Sequence, residues 1–162
     1  MDFSLRKLRV SELQDIAASR VPARLGARLE PGALPPAFVA ERALGLRAKG
    51  HPEPWSTSFL IVRERDQQIV GSCGFKTAPT HGQVEVGYGV AEATRGQGAA
   101  TDALCLLVAM AFAAGASSIL AEVVPDNHAS AEVVRRNGFI RTGDRIDESG
   151  EYVVQWLRSR EN

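Results

Sequence analysis

Apolar positions change period several times along the chain, and each change marks an element boundary. Phe3, Leu5 and Leu8 predict a short first strand. Ser11 stands where it would cap a helix over 12–19, with Glu12 and Asp15 favourable in its first turns. Pro22 closes that helix, and the Arg-, Gly- and Pro-rich stretch 20–36 reads as a loop. Pro35-Pro36 opens a second helix over 36–48, whose apolar stripe is Phe38, Val39, Ala43, Leu44 and Leu46. The run Gly50-His51-Pro52-Glu53-Pro54 stops it.

From Ser56 onward the pattern is that of strands. Residues 59–62 and 69–75 flank the turn Asp66-Gln67-Gln68, and 83–90 follows a second turn at Thr80-His81-Gly82. Three strands joined by short turns make an antiparallel meander. An almost entirely apolar helix over 97–114 comes next, then a strand over 117–124 and a helix over 127–137 ending on Asn137-Gly138, a good left-handed cap. Strands over 139–145 and 152–157, linked by Asp147-Glu148-Ser149-Gly150, finish the chain. The order is β-α-α-β-β-β-α-β-α-β-β. With no repeat, low-complexity tract or dividing linker, it predicts one α/β (α+β) domain over 1–162.

Composition narrows the function classes. With 44% hydrophobic and 23% charged residues in 162, the chain can build a core and does not read as disordered. Nineteen Lys+Arg balance nineteen Asp+Glu, which removes the sequence-wide argument for a nucleic-acid partner. The uncharged stretch 103–121 approaches the length of a membrane span, but Gly115-Ala116-Ser117-Ser118 interrupts it. A buried helix followed by a buried strand is expected there, and no membrane partner.

Cys73 and Cys105 cannot form a disulfide framework and are expected to be buried free thiols in a reducing compartment. The start Met1-Asp2-Phe3-Ser4-Leu5-Arg6-Lys7 has no apolar signal region, so a cytoplasmic location is expected. His51, His81 and His128 are scattered without metal-ligand spacing, and no metal is expected.

The chemistry concentrates at Arg95-Gly96-Gln97-Gly98-Ala99-Ala100, between a strand and the apolar helix. A helix start leaves backbone N–H groups without partners and favours negative charge. Gly96 and Gly98 remove side chains from the approach, Ala99 and Ala100 keep it small, and Arg95 adds a cation: a diphosphate cradle. A Walker loop is absent. A dinucleotide fingerprint fails at its third glycine, where Thr101 stands. Glu122 falls on the next strand, where such a fold places its ribose-binding acid, but three antiparallel strands precede the cradle.

Val84-Glu85-Val86-Gly87-Tyr88-Gly89-Val90, the cradle, Asn127-His128-Ala129-Ser130 and Arg136-Asn137-Gly138-Phe139 together resemble a GNAT-superfamily N-acetyltransferase, and most closely its ribosomal-protein N-terminal acetyltransferase branch. Arg95, Gly98 and Ala100 match that family's phosphate motif. The resemblance is clear over about 57–145; the first 55 residues fit only by element order.

The resemblance implies a mixed, mostly antiparallel sheet of about seven strands with helices on both faces. It also implies acetyl-CoA as co-substrate and a primary amine as acceptor. In this family the fourth strand carries a bulge, splays from the fifth and pairs with the pantetheine arm, here through Tyr88, Gly89 and Val90. The cradle takes the pyrophosphate, and Asn127, which opens the flanking helix, is expected to bind the coenzyme or the splay, to cap its helix, or both. Family members are often dimers, and exposed strands near the C-terminus could pair.

Acyl transfer to an amine needs a base or water chain for the amine proton, hydrogen-bond donors for the tetrahedral oxyanion, and a donor for the departing thiolate. The tyrosine that many members place four residues before Gly138 is here Val134. In the ribosomal-protein branch a serine three residues after the asparagine serves instead, and Ser130 matches it; Ser130 is equally placed to help cap its helix. Glu85 and Glu122, carboxylates on central strands, are the candidate bases, with Glu148 or ordered water as alternatives. Arg20, Arg24 and Arg28 form either a solvated face or an anion-binding rim. Trp55 and Trp156 are expected in the core or an interface. The expected function is N-acetylation of a primary amine, a protein N-terminus or a small molecule, by direct attack in a ternary complex. The competing readings are an inactive acyl-CoA-binding module and a dinucleotide-dependent dehydrogenase domain.

Overall fold

The computed structural model describes residues 1–161. Its elements are β1 (Phe3–Lys7), α1 (Val10–Ala17), α2 (Ala37–Ala48), β2 (Ser58–Arg63), β3 (Gln68–Phe75), β4 (Gln83–Val90), α3 (Ala99–Ala113), β5 (Ser118–Val123), α4 (His128–Arg136), β6 (Ile140–Ile146) and β7 (Tyr152–Ser159). Two short 3-10 turns, Gly26–Arg28 and Glu92–Thr94, lie between them. All seven strands form one sheet in the order β1-β2-β3-β4-β5-β7-β6. Every neighbouring pair is antiparallel except β4 and β5, which are parallel.

The strand period divides the core between the two faces of the sheet. On β2, Ile61 packs with Leu104, Leu107 and Ala111 of α3 and with Val134 of α4. Its neighbours Leu60 and Val62 pack the other way, with Leu13 and Ile16 of α1 and Ala40 and Ala43 of α2. A strand covered on both faces reads as a continuous apolar run, which is why 59–62 shows no alternation. The uncharged stretch 103–121 is a helix that buries one face on the sheet, followed by a largely buried strand, and no helix among the described residues is long and apolar enough to cross a membrane.

Several sequence expectations are corrected. α1 is capped by Arg9 and not Ser11; Glu12 Oε1 accepts the Arg9 N–H at 2.8 Å, so the carboxylate draws the helix start back two residues. The buried stripe of α2 is Ala40 and Ala43, whereas Phe38 is 60% exposed, because close packing on the sheet admits only small residues. Cys73 is buried as expected, but Cys105 lies on the outer face of α3 and is exposed. The arginines of the 20–36 loop take three separate partners: Arg20 with Asp15, Arg24 with the buried Glu12, and Arg28 with the Asp66 carbonyl. They make no shared rim. Trp55 is in the core, edge-on to Phe75 with ring centroids 4.9 Å apart.

Candidate active site

The site is built where β4 leaves β5. Their parallel pairing covers only Gln83–Glu85 against Ser118–Leu120. Beyond it β4 runs on to Val90, held by β3 alone. Backbone polar groups alternate sides along a strand. The Glu85 carbonyl accepts the Lys76 N–H just past the end of β3, and the Ala91 N–H donates to the Val70 carbonyl of β3, so the groups of Val86, Tyr88 and Val90 face the open edge. The β3–β4 register is unbroken from Gly71↔Val90 to Phe75↔Val86, so the splay forms without the bulge that the resemblance implied.

At the far end of this edge stands the start of α3. Gly98 is its N-cap with φ 89°, and Gly96 has φ 80°, left-handed values that side chains disfavour. A Cβ on either glycine would meet nothing within 4 Å, so backbone conformation, not crowding, requires them, and the space above them is open. The first intrahelical bond is Asp102 N–H to the Gly98 carbonyl at 3.0 Å. The N–H groups of Ala99, Ala100 and Thr101 therefore lack intrahelical acceptors at the mouth of the cleft. Arg95 Nε reaches back to the Val90 carbonyl at 3.4 Å. Thr94, which sequence reasoning passed over, is buried in the cleft wall with no hydrogen-bond partner for Oγ1 among the described residues. Gln97 turns away: its Oε1 accepts from Arg63 at 3.0 Å, so only its backbone is left to the cradle.

These groups line one cleft of about 1290 Å³, between β4, β5, α2 and the starts of α3 and α4. Asn127 caps α4, its Oδ1 accepting the Ser130 N–H at 3.0 Å. Ser130 Oγ and the Tyr88 hydroxyl are 2.7 Å apart. Tyr88 is largely withdrawn from solvent, and burial pushes its phenol above the ordinary value, the Ser130 bond pulling the other way. Val134 is fully buried and fills the core at the family's tyrosine position.

The candidate bases differ in setting. Glu85 is paired with Lys76 at 2.9 Å, and Lys76 lines the cleft. Glu122 also lines it, but is clamped by Arg145 at 2.5 and 2.9 Å and by Gln155 at 3.0 Å. Those hydrogen bonds, Arg145 first, hold its carboxyl below the usual range against the effect of burial. Glu148 is exposed in the last hairpin and touches the same guanidinium at 3.3 Å.

A sequence model described as an acetyltransferase (GNAT) domain matches residues 3–140. The chain belongs to the GNAT acetyltransferase family. It is an acyltransferase of the class that uses acetyl-CoA, and the match extends the resemblance through the first two helices. No curated protein matches the sequence. Among solved structures, the ribosomal-protein-S5-alanine acetyltransferase of Vibrio fischeri superposes with TM-score 0.71 at 20% identity, covering 100% of this chain and 95% of that one. A dodecameric spermidine N-acetyltransferase of Vibrio cholerae gives 0.68 at 15%, covering 99% and 95%. An aminoglycoside acetyltransferase in complex with coenzyme A gives 0.67 at 17%, covering 98% and 95%. At these identities the likeness shows the GNAT fold.

Proposed function

We propose that this GNAT protein transfers an acetyl group from acetyl-CoA to the neutral nitrogen of a primary amine, both substrates being bound together. The observation that carries the reading is the unpaired edge of β4 leading to the glycine-headed start of α3. The residues fit the co-substrate. The edge offers strand-like pairing to an extended amide chain, and the free N–H groups, Arg95 and the orphaned Thr94 hydroxyl suit a diphosphate. Bound there, acetyl-CoA supplies the activated acyl group.

The chain's own residues do the rest. The backbone groups of Tyr88 and Val90 position the arm along β4, with Gly89 between them turned to β3 and leaving the face open, while Gly96, Gly98, Ala99, Ala100 and the Gln97 backbone form the cradle. Asn127 fixes the first turn of α4 and so the place of Ser130. Ser130 holds the proton for the leaving sulfur, and its 2.7 Å bond to Tyr88 supplies and orients that proton. Glu85, beside the cleft, receives the amine proton through water. Glu122, locked in a bidentate ion pair, secures the final hairpin.

The test pairs coenzyme binding with turnover. Acetyl-CoA should raise the melting temperature by mass action, and free thiol should appear with members of an amine and peptide library. Binding without turnover on any amine would leave an acyl-CoA-binding module. No binding at all would remove the coenzyme site.

A further inference from the structure

Resting on the acetyltransferase reading above, we infer that Arg42 is the anion-recognition residue of the acceptor site, and that the acceptor is an amine bearing its own carboxylate.

The hollow is set by which side chains share a sheet face. Ser58 is opposite Gly74, Gly74 opposite Gly87, and Ser72 opposite Gly89, so these five residues form one patch on the α2 side. The same face is filled elsewhere by Leu60, Val62 and Ile69 beneath Ala40 and Ala43. Within the patch no side chain exceeds serine; the Lys76 side chain leans over Gly87, its Cε 3.0 Å from where a Cβ would stand, while a Cβ on Gly89 would meet nothing within 4 Å. The sheet is therefore open at Gly89, where the free edge of β4 adjoins α2, and a small substrate can lie there beside the Lys76 side chain.

Both signs of charge line the cleft, Glu122, Asp126 and Glu132 beside Arg42, Lys76, Arg95 and Arg136, and most are paired. Lys76 is taken by Glu85 at 2.9 Å and Arg145 by Glu122 at 2.5 Å. Arg42, on α2, lines the cleft yet makes no ion pair or side-chain hydrogen bond among the described residues. Its guanidinium sits 5.9 Å from the ring centre of Phe38, which is 60% exposed. Arg42 is half-buried, and burial depresses its pKa more than the attraction of Glu85 restores it, the mark of a cation short of a counter-charge.

A partly desolvated cation without an anion is unfavourable, and an incoming carboxylate relieves it. The planar fork of arginine meets a carboxylate in two parallel hydrogen bonds. A polycationic amine would bring repulsion to the same place. The arrangement thus selects an amino acid, or a peptide whose first residues carry an acid, over a polyamine.

The experiment measures thiol release with acetyl-CoA for free amino acids, each compared with its own amide. Aspartyl and glutamyl peptides and spermidine complete the panel. The carboxylate should raise kcat/KM by about tenfold or more over the amide, as for one charge-assisted contact. Arg42→Gln should bring that ratio close to unity, mainly through KM, and Arg42→Lys should recover part of it. A second reading uses no turnover: with CoA bound, the preferred acid should raise the melting temperature of wild type but not of Arg42→Gln. The shift produced by CoA itself shows that the variant folds. If the peptides outrun free amino acids, the carboxylate is read on a chain and Arg42 keeps its role. Equal use of acids and amides, preference for spermidine, or equal loss on acid and amide in Arg42→Gln overturns the inference while the acetyltransferase reading stands. Failure to bind acetyl-CoA overturns that reading, and the acceptor assignment with it.

Discussion

The Tyr88 hydroxyl and Ser130 Oγ meet at 2.7 Å across the cleft, one from β4 and the other from the first turn of α4. A serine hydroxyl alone is a weak acid. Joined to a phenol, it can hand over one proton and draw another. Ser130→Ala should lower kcat by about 10²-fold, the scale of one acid–base group, with little change in acetyl-CoA affinity. Tyr88→Phe should lower kcat in the same direction and leave a folded protein. Because burial raises the Tyr88 pKa, the phenol keeps its proton beyond the ordinary tyrosine range. The kcat profile should therefore show no basic fall from this pair below about pH 10. A fully active Ser130→Ala enzyme would reduce Ser130 to a capping residue.

The cradle can be tested by charge at fixed backbone geometry. Gly98 has φ 89°, so any side chain there is strained, but asparagine tolerates the left-handed region best. Gly98→Asn should fold and keep part of the thermal shift given by CoA. Gly98→Asp, almost the same size, should abolish it by placing a carboxylate at the phosphate site. Equal shifts in both variants would move the pyrophosphate elsewhere.

Arg95 separates phosphate from pantetheine. Its Nε is tied to the Val90 carbonyl at 3.4 Å, so the guanidinium stands between cradle and strand edge. Arg95→Ala should weaken CoA more than a dephosphorylated pantetheine fragment, measured by calorimetry. An equal loss for both ligands would mean that Arg95 acts on the fold of the loop.

What the sequence revealed of this site was local in origin. The glycines at 96 and 98 announce a left-handed backbone, Asn127 announces a cap, and Gln83–Val90 has the bounds expected of it. Each signal lies within a few residues of its effect. The side-chain partnerships were not legible: Tyr88 and Ser130 are 42 residues apart, and Arg145 and Glu122 are 23 apart. Nothing in the neighbourhood of Gln97 shows that it will turn to Arg63. For Phe38, helical periodicity counted an apolar residue as core, while the tight fit of Ala40 and Ala43 on the sheet left it outside. The missing tyrosine at Val134 was visible; that a tyrosine on β4 reaches the same helix was not.

Glu85 and water form the proposed base. Glu85→Gln should lower kcat/KM near neutral pH, and part of the loss should return at high pH, where amines lose their protons unaided. The acidic limb of the profile should change shape. An unaltered pH profile in Glu85→Gln would take the role from this carboxylate.

Glu122 is expected to act on stability, and the sign of its pH dependence follows from its ion pair. Its folded pKa is held below the unfolded value, chiefly by Arg145 and secondarily by Gln155. A depressed carboxylate contributes stability that is present above its unfolded pKa, about 4.3, and is lost as pH falls through the folded value. The side chain of Glu122 is 7% exposed, but that of Arg145 is 37% exposed and keeps Glu148 as a second partner. Solvent therefore weakens the pair below a fully buried one. Glu122→Gln should cost about 1–3 kcal/mol at pH 7, the scale of a charge-assisted hydrogen bond. Because the wild-type carboxylate becomes neutral in acid, the two proteins should converge in stability as pH falls below the unfolded value and through the lower folded one. Urea unfolding from pH 7 to pH 3 measures the difference directly. A gap that stays constant across that range would show that the substitution acts through packing and not charge. An acidic limb of kcat/KM that vanishes in Glu122→Gln would instead make Glu122 the base and Glu85 its bystander.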